Sequence, residues 1–390
     1  MKELNERLNI LKKKVIEGDT VTIAIFGLGS VGCYLLDYLV SLSDPQLHIV
    51  VVGRNEEKMT KDVNIIRTAA TIRKQLRSKI TIIGDCDFED VESIAKVLRN
   101  VKPDFIVNSS RLYAGLKYGS ISWSNLRAYG IWAPLALQLG KNIMEAYEET
   151  RCEAITINTS YSDAVIPWLK SAGKAYFDFG SGNLNHLIPR IKFYVVDKFG
   201  IDNLNEIDIT LVASHFHDVV ISKEGHSEGM DLLLSVKYHG KELPINKEEL
   251  FRSCAIPMPT DQKRNMMNAS SNLEIITSIL SAIRYRKAMK VHSPGVLGHI
   301  GGYPFIIDGT SDSVKTFFPN DFTLEEMIAE NKRSISLDGI EDVIDGNLIY
   351  TDKLIQDVYN IFKVNLPKTV PLQESASVSS LLIEKIIKMA

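Results

Sequence analysis

The chain has 390 residues, with 45 Lys and Arg against 48 Asp and Glu, and 45% of it is hydrophobic. That length suggests two domains with ample chain for a core, and the ordinary composition excludes disordered, collagen-like and coiled-coil classes. A net charge of −3 gives no electrostatic reason to expect nucleic acid or an acidic membrane as partner, and no apolar run approaches the roughly 20 residues needed to span a bilayer.

The opening MKELNERLNILKKKVIEGD is too charged for a signal peptide and predicts an amphipathic helix over 1–17, with Leu4, Leu8, Leu11 and Val15 on one face. Runs of β-branched residues at 20–26, 47–52, 80–83, 105–108 and 154–158 alternate with helical periodicity at 31–41, 56–74, 88–100 and 134–150. Such alternation makes right-handed crossovers, so 1–180 is expected to be α/β, a doubly wound parallel sheet of the Rossmann type. From 181 to 390 the texture becomes α+β, expected to bind substrate and to oligomerise. It holds strands at 208–213 and 232–238 with a turn at His239-Gly240, a long helix at 270–286, a Gly- and Pro-rich stretch at 292–309, a linker bounded by Pro367 and Pro371, and a final amphipathic helix to 390. Cys33, Cys86, Cys152 and Cys254 lie far apart with no metal-type spacing, which fits free thiols in a reducing cytoplasm.

The strand VTIAIF runs directly into Gly27-Leu28-Gly29-Ser30-Val31-Gly32, which opens a helix. Gly27 permits the tight turn, Gly29 lets the backbone approach a pyrophosphate, and Gly32 lets the helix pack close to the sheet. Ser30 and Val31 begin that helix, whose free N–H groups and positive dipole end suit phosphate. Strand, glycines and helix in this order predict a dinucleotide site. The second strand ends in Gly53, Arg54 and Asn55, where NAD binders place an acidic residue for the ribose 2′-hydroxyl. A guanidinium there matches a 2′-phosphate, which favours NADP; if Arg54 is a solvated loop residue, Glu56 or Glu57 serves NAD instead. Ligands sit beyond the carboxyl ends of parallel strands, so Asn108, Ser109 and Ser110, with Asn158, Thr159 and Ser160, are candidates for the nicotinamide ribose or carboxamide. Asp85 is placed to meet the adenine edge, although Asp85 and Asp87 equally suit strand-end caps.

From Asn108 onward the order of features resembles the lactate/malate dehydrogenase superfamily, which includes the NAD-dependent family-four glycosidases. Residues 155–158 resemble its Asn-ending strand, Gly180-Ser181-Gly182-Asn183-Leu184-Asn185-His186 its Gly-Ser-Gly…Leu-Asp helix start, Ala213-Ser214-His215-Phe216-His217-Asp218 its catalytic-histidine turn, and 268–286 its late helix. The first half, with its Gly53-Arg54-Asn55 strand end, looks equally like the cofactor domain of saccharopine dehydrogenase. The resemblance implies an NAD(P)-dependent dehydrogenase with a small-molecule substrate, and a homodimer in which helix 270–286 could form an interface.

Departures from that pattern redirect the substrate. The family's carboxylate-clamping Arg falls at Ile188, with Arg190 close by as a substitute, and its loop Arg falls in Ser122-Trp123-Ser124-Asn125-Leu126. Losing both guanidinium clamps argues against a simple 2-hydroxy acid. Trp123, Tyr118, Tyr129 and Trp132 suit either a roomier aromatic pocket or core packing. Asn185 replaces the Asp that would polarise the catalytic imidazole. His215 matches the catalytic turn and is the first candidate acid/base; His186 is the second, and Asn185-His186 resembles the Asn-His of the glycosidase branch. His215-x-His217 is a weak metal pattern, with His226 near it in sequence, and no metal is expected. His299 and Tyr303 could line the substrate site, or their Gly-rich segment could be a tight turn feeding a strand. The expected function is an NADP-favouring oxidoreductase acting on a carbonyl, imine or secondary alcohol. A metal-dependent glycosidase and a non-catalytic NADP(H)-binding protein are the alternatives.

Overall fold

The computed structural model describes residues 2–113 and 115–389. Helix α1 (Leu4–Glu17) precedes β1 (Val21–Phe26), α2 (Ser30–Ser41), β2 (Leu47–Val52), α3 (Glu56–Ile72), β3 (Lys79–Ile83), α4 (Val91–Val101), β4 (Phe105–Asn108), α5 (Gly115–Ile121), α6 (Ala133–Glu149), β5 (Ile155–Asn158), α7 (Ser162–Ser171) and β6 (Phe179–Gly180). The strands form one six-stranded sheet in the order β3-β2-β1-β4-β5-β6, every pairing parallel. This is the doubly wound order expected of a Rossmann domain. Strands covered on both faces need apolar residues at every position. Accordingly Ile23, Ile25 and Val107 face the side of α2, while Ala24, Phe26 and Ile106 face α4 and α6. The helix expected at 88–100 starts at Val91 because the Asp90 carboxylate caps it, accepting from the Glu92 N–H.

The second part contains α8 (Asn183–Phe199), β7 (Ile207–Val212), α9 (His215–Glu224), β8 (Leu233–Tyr238), β9 (Lys241–Glu242), α10 (Lys247–Cys254), α11 (Asn265–Tyr285), β10 (Ala288–Pro294), β11 (Gly302–Asp308), β12 (Lys315–Phe317), α12 (Leu324–Ser334), β13 (Ile340–Ile344), β14 (Asn347–Tyr350), α13 (Asp352–Phe362), β15 (Thr369–Pro371) and α14 (Ser375–Leu382). Three small antiparallel sheets, β7-β8-β9, β10-β11-β12 and β13-β14-β15, make it α+β, as expected. The His239-Gly240 turn joins β8 to β9 through two residues of positive φ, whereas α9 intervenes between β7 and β8. Leu187, Ile191, Leu211, Val236 and Leu250 close a core under the first of these sheets. The last sheet packs elsewhere: Leu348, Tyr350, Val358 and Leu382 share a core with Ile143 and Trp168 of α6 and α7. The Trp168 indole N–H donates to the Gly346 carbonyl at 3.0 Å. No described helix is long and apolar enough to cross a membrane.

Helix α1 buries Leu4, Leu8, Leu11 and Val15 as its periodicity requires, and also Arg7. The Arg7 guanidinium reaches below the sheet to the buried Asp178 carboxylate, one of its two bonds spanning 2.7 Å, and donates to the Ala154 carbonyl at 2.8 Å. Asp178 also accepts from the Thr156 N–H and hydroxyl, tying α1 to β5 and β6 at the ends opposite the glycine turn. Asp178→Ala strands a buried guanidinium and is expected to cost about 3–5 kcal/mol. Urea denaturation measures it, and an unchanged midpoint would contradict this account.

Candidate functional site

Strands β1, β4, β5 and β6 end level, with Phe26, Asn108, Asn158 and Gly180 in register. Beyond them opens a cleft of about 760 Å³, in the upper part of the range for ligand sites. The glycine turn forms one wall. Gly27 has φ +98°, and a Cβ there would lie 3.0 Å from the Ser110 backbone; a Cβ on Gly32 would lie 2.2 Å from the Gly27 carbonyl oxygen. Gly29 is the N-cap of α2 and has open space where a Cβ would stand, and no side chain caps the helix. Gly27, Gly29, Ser30 and Val31 all line the cleft. An uncapped helix N-terminus behind a bare glycine is the cradle that a pyrophosphate fits.

At the end of β2, Gly53, Arg54, Asn55 and Lys58 line the cleft. The Arg54 guanidinium is exposed, 3.8 Å from Glu89. The Asn55 side chain accepts from the Lys58 N–H and so caps α3. The acidic alternatives point elsewhere: Glu56 packs on the Gly84 backbone, and Glu57 pairs with Lys61. Asp85, expected at the adenine edge, is exposed in a left-handed turn and does not line the cleft; Asp87, Phe88 and Glu89 do.

The strand-end polar residues divide. Ser109, Ser110, Thr159 and Ser160 line the cleft. Asn108 and Asn158 are buried behind them and bonded to each other at 2.9 Å. The second oxygen–nitrogen set of these amides is spent on Ser110, on the Ser160 carbonyl and on Ser162. Their side chains therefore fix the strand ends rather than face a ligand.

His215, expected in a turn, is the first residue of α9. Its Nδ1 lies 3.0 Å from Asp338, and Tyr129 and Tyr161 meet its ring edge-on at 4.9 and 5.1 Å. Asp338, fully buried, also accepts from the Tyr161 hydroxyl at 3.1 Å and the Tyr129 N–H at 3.3 Å. The buried Asp163 carboxylate accepts from the His215 N–H at 3.0 Å. Burial alone would push the His215 imidazole down; the facing Asp338 and Asp163 outweigh it, and its pKa is raised. The burial of Asp163, with Asp338 beside it, pushes its carboxyl up to about 6 against the pull of His215. Sequence reasoning missed Asp338 and Asp163. Nothing local marks a carboxylate 123 positions away; for Asp163, a short polar segment after a strand is the one cue.

His186 also lines the cleft, its Nδ1 3.5 Å from the buried Asp218 and its Nε2 buried without a partner. Other expected positions move. Asn185 turns from the cleft, its amide donating to Ser271 and Glu274. Arg190 is buried outside the cleft, donating to the Cys254 carbonyl at 2.6 Å, so it replaces neither missing clamp there. His299 packs on Tyr303 and Phe318, away from the site. Tyr118, Tyr129 and Trp132 line the cleft, whereas Trp123 does not. His217 faces inward to the Met230 carbonyl at 3.2 Å. Among the described residues, Glu224, His226 and Glu228 are a group with metal-ligand spacing, but they are exposed and both carboxylates pair with Arg127.

No protein-family model matches the sequence, and no curated protein matches it. The fold does have solved counterparts. A malate dehydrogenase from Aeropyrum pernix superposes with a TM-score of 0.51 at 12% identity, over 80% of this chain and 95% of that one. One from Cryptosporidium parvum gives 0.51 at 12% identity, over 82% and 98%. The fold is thus that of malate dehydrogenases, in line with the resemblance in the sequence.

The raised Asp163 carboxyl gives a signed expectation. Its folded pKa of about 6 exceeds the unfolded value near 4, so the folded state binds that proton more tightly. The stability this contributes is present below about pH 4 and is lost as pH rises through about 6. Asp163→Asn keeps the acceptor for His215 and is expected to gain stability over wild type as pH rises from about 4 to 6, by on the order of 2 kcal/mol. Thermal melts across that range test it; a difference independent of pH would contradict it.

Proposed function

We propose that this protein is an oxidoreductase that uses a nicotinamide dinucleotide, NADP in preference to NAD. Its substrate would be a carbonyl, imine or secondary alcohol larger than a simple 2-hydroxy acid. The observation that carries the reading is one cleft holding both an uncapped glycine turn and His215 backed by a buried carboxylate. When bound, the dinucleotide supplies the hydride acceptor or donor at its nicotinamide ring. The chain's own residues do the rest. Gly27, Gly29, Ser30 and Val31 hold the pyrophosphate, and Arg54 with Lys58 supplies positive charge where a 2′-phosphate would lie.

Asp338 accepts from Nδ1 of His215, which fixes the tautomer and leaves Nε2 for the substrate oxygen or nitrogen. The raised pKa favours the imidazolium, the form that donates a proton to a carbonyl or imine. His186, with Asp218 behind it and Nε2 free, is a second proton carrier in the same cleft. Tyr118 and Trp132 pack 5.3 Å apart as an aromatic wall.

Titration with NADPH and NADH, followed by nicotinamide fluorescence, tests the cofactor. NADPH is expected to bind about 10- to 100-fold more tightly, and Arg54→Ala to erase the difference, because a charge-assisted bond is lost. Equal affinities would overturn the NADP preference, and binding of neither would overturn the function. Against a panel of carbonyl and imine substrates, His215→Gln and Asp338→Asn are each expected to lower turnover about 10²- to 10⁴-fold with NADPH affinity retained. Unchanged turnover in both would remove His215 from the chemistry.

A further inference from the structure

Three cations lining the cleft, Arg111, Lys223 and Arg264, have no task in the reading above, and the last two concern this inference. Lys223 lies on α9 eight residues past His215, about 12 Å along the helix. Arg264 ends the turn before α11, next to Asn265, whose amide bonds the Ser30 hydroxyl of the glycine turn. Both line the cleft beside Tyr129 and Asp218. Among the described residues, neither forms an ion pair within 4.0 Å, whereas Arg127 close by is held by Glu224 and Glu228. Partial burial and then the Arg264 charge lower the pKa of the Lys223 ammonium, against the pull of Glu224. The ammonium stands 4.1 Å over the Trp123 ring, whose indole is also covered by Arg127 at 4.9 Å. Trp123 therefore positions Lys223 rather than touching a ligand.

Two like charges lining one cleft, neither held in an ion pair, repel each other, and an anion between them offsets that cost. The positions expected to clamp a carboxylate beside the reacting carbon, Ile188 with Arg190 as its substitute and the loop 122–126, place no cation in the cleft. Resting on the oxidoreductase reading, we infer that Lys223 and Arg264 form a subsite for an anionic group of the substrate, a carboxylate or a phosphomonoester, remote from the reacting carbon. The two turns of α9 between His215 and Lys223 set the separation of the reacting carbon from that anion. This makes the pair a specificity determinant, not an acid/base.

The probes are glutarate for the carboxylate and glycerol 3-phosphate for the phosphomonoester, titrated calorimetrically into the full chain with and without NADPH. One probe at least is expected to bind, and to lose about 10-fold or more in affinity in Lys223→Gln and in Arg264→Gln, as removal of one charged hydrogen-bond donor implies. Lys223→Arg, which keeps the charge, is expected to stay within about threefold of wild type. NADPH affinity should be the same in all four proteins. The inference is overturned if neither probe binds, or if probe affinity is the same in the Gln variants. It is also overturned if NADPH affinity falls in Arg264→Gln as far as probe affinity does, since the pair then serves the dinucleotide. Should NADPH fail to bind wild type, the oxidoreductase reading falls, while probe affinity in the dinucleotide-free protein still decides the subsite.

Discussion

The site depends on one buried carboxylate. Asp338 has no exposed surface and receives His215, Tyr161 and the backbone of Tyr129. These partners come from three places: the start of α9, the loop after β5, and the turn before α6. A buried anion is tolerated only when donors surround it, so the three elements are held together by the cost of leaving Asp338 unpaired. The approach is close enough that a Cβ on Gly130 would lie 2.5 Å from the Asp338 carbonyl. Asp338 reaches this point because the segment after it packs on α6 and α7 rather than on the other antiparallel sheets. The C-terminal part of the chain thus completes the cleft that the glycine turn begins.

A second constraint is the direction of the helices. The cleft is lined by residues of the first turns of α2, α7, α8, α9 and α11, so several positive dipole ends converge on it. Asp163 and Asp218 lie in the first turns of α7 and α9, where a carboxylate is favoured by that field. The same placement sets each acid beside a histidine. The glycine end keeps its helix free of any capping side chain, which leaves room for anionic ligand groups there. One end of the cleft therefore carries an uncapped helix N-terminus, and the other carries histidines set beside carboxylates.

Much of this was legible in the sequence where the signal is local. Strands 47–52 and 105–108 appear at the residues their β-branched runs predict, because apolar continuity marks a strand buried on both faces. The glycine turn was legible for the same reason, since a strand, three spaced glycines and a helix have few other uses. Helix α7 was not, because it follows Tyr161, whose φ is +43°, and carries Pro167 inside. Polar site residues were the least legible. Asn108 and Asn158 end their strands behind the cleft lining, where their amides bond each other and neighbouring serines. Asn185 sits at the position of the expected imidazole partner but bonds α11, and the true partner of His215 is a residue with no motif around it. Contacts between distant segments leave no periodic trace.

The most direct measurement is the NMR titration of the His215 ring in wild type and in Asp338→Asn, with and without NADP. A pKa above the ordinary histidine value is expected in wild type, with a clear fall in Asp338→Asn and a ring shift perturbed by the dinucleotide. A His215 that titrates identically in both proteins, or whose signal ignores saturating NADP, would contradict the claim that this imidazole and its carboxylate are the working acid/base of a nicotinamide site.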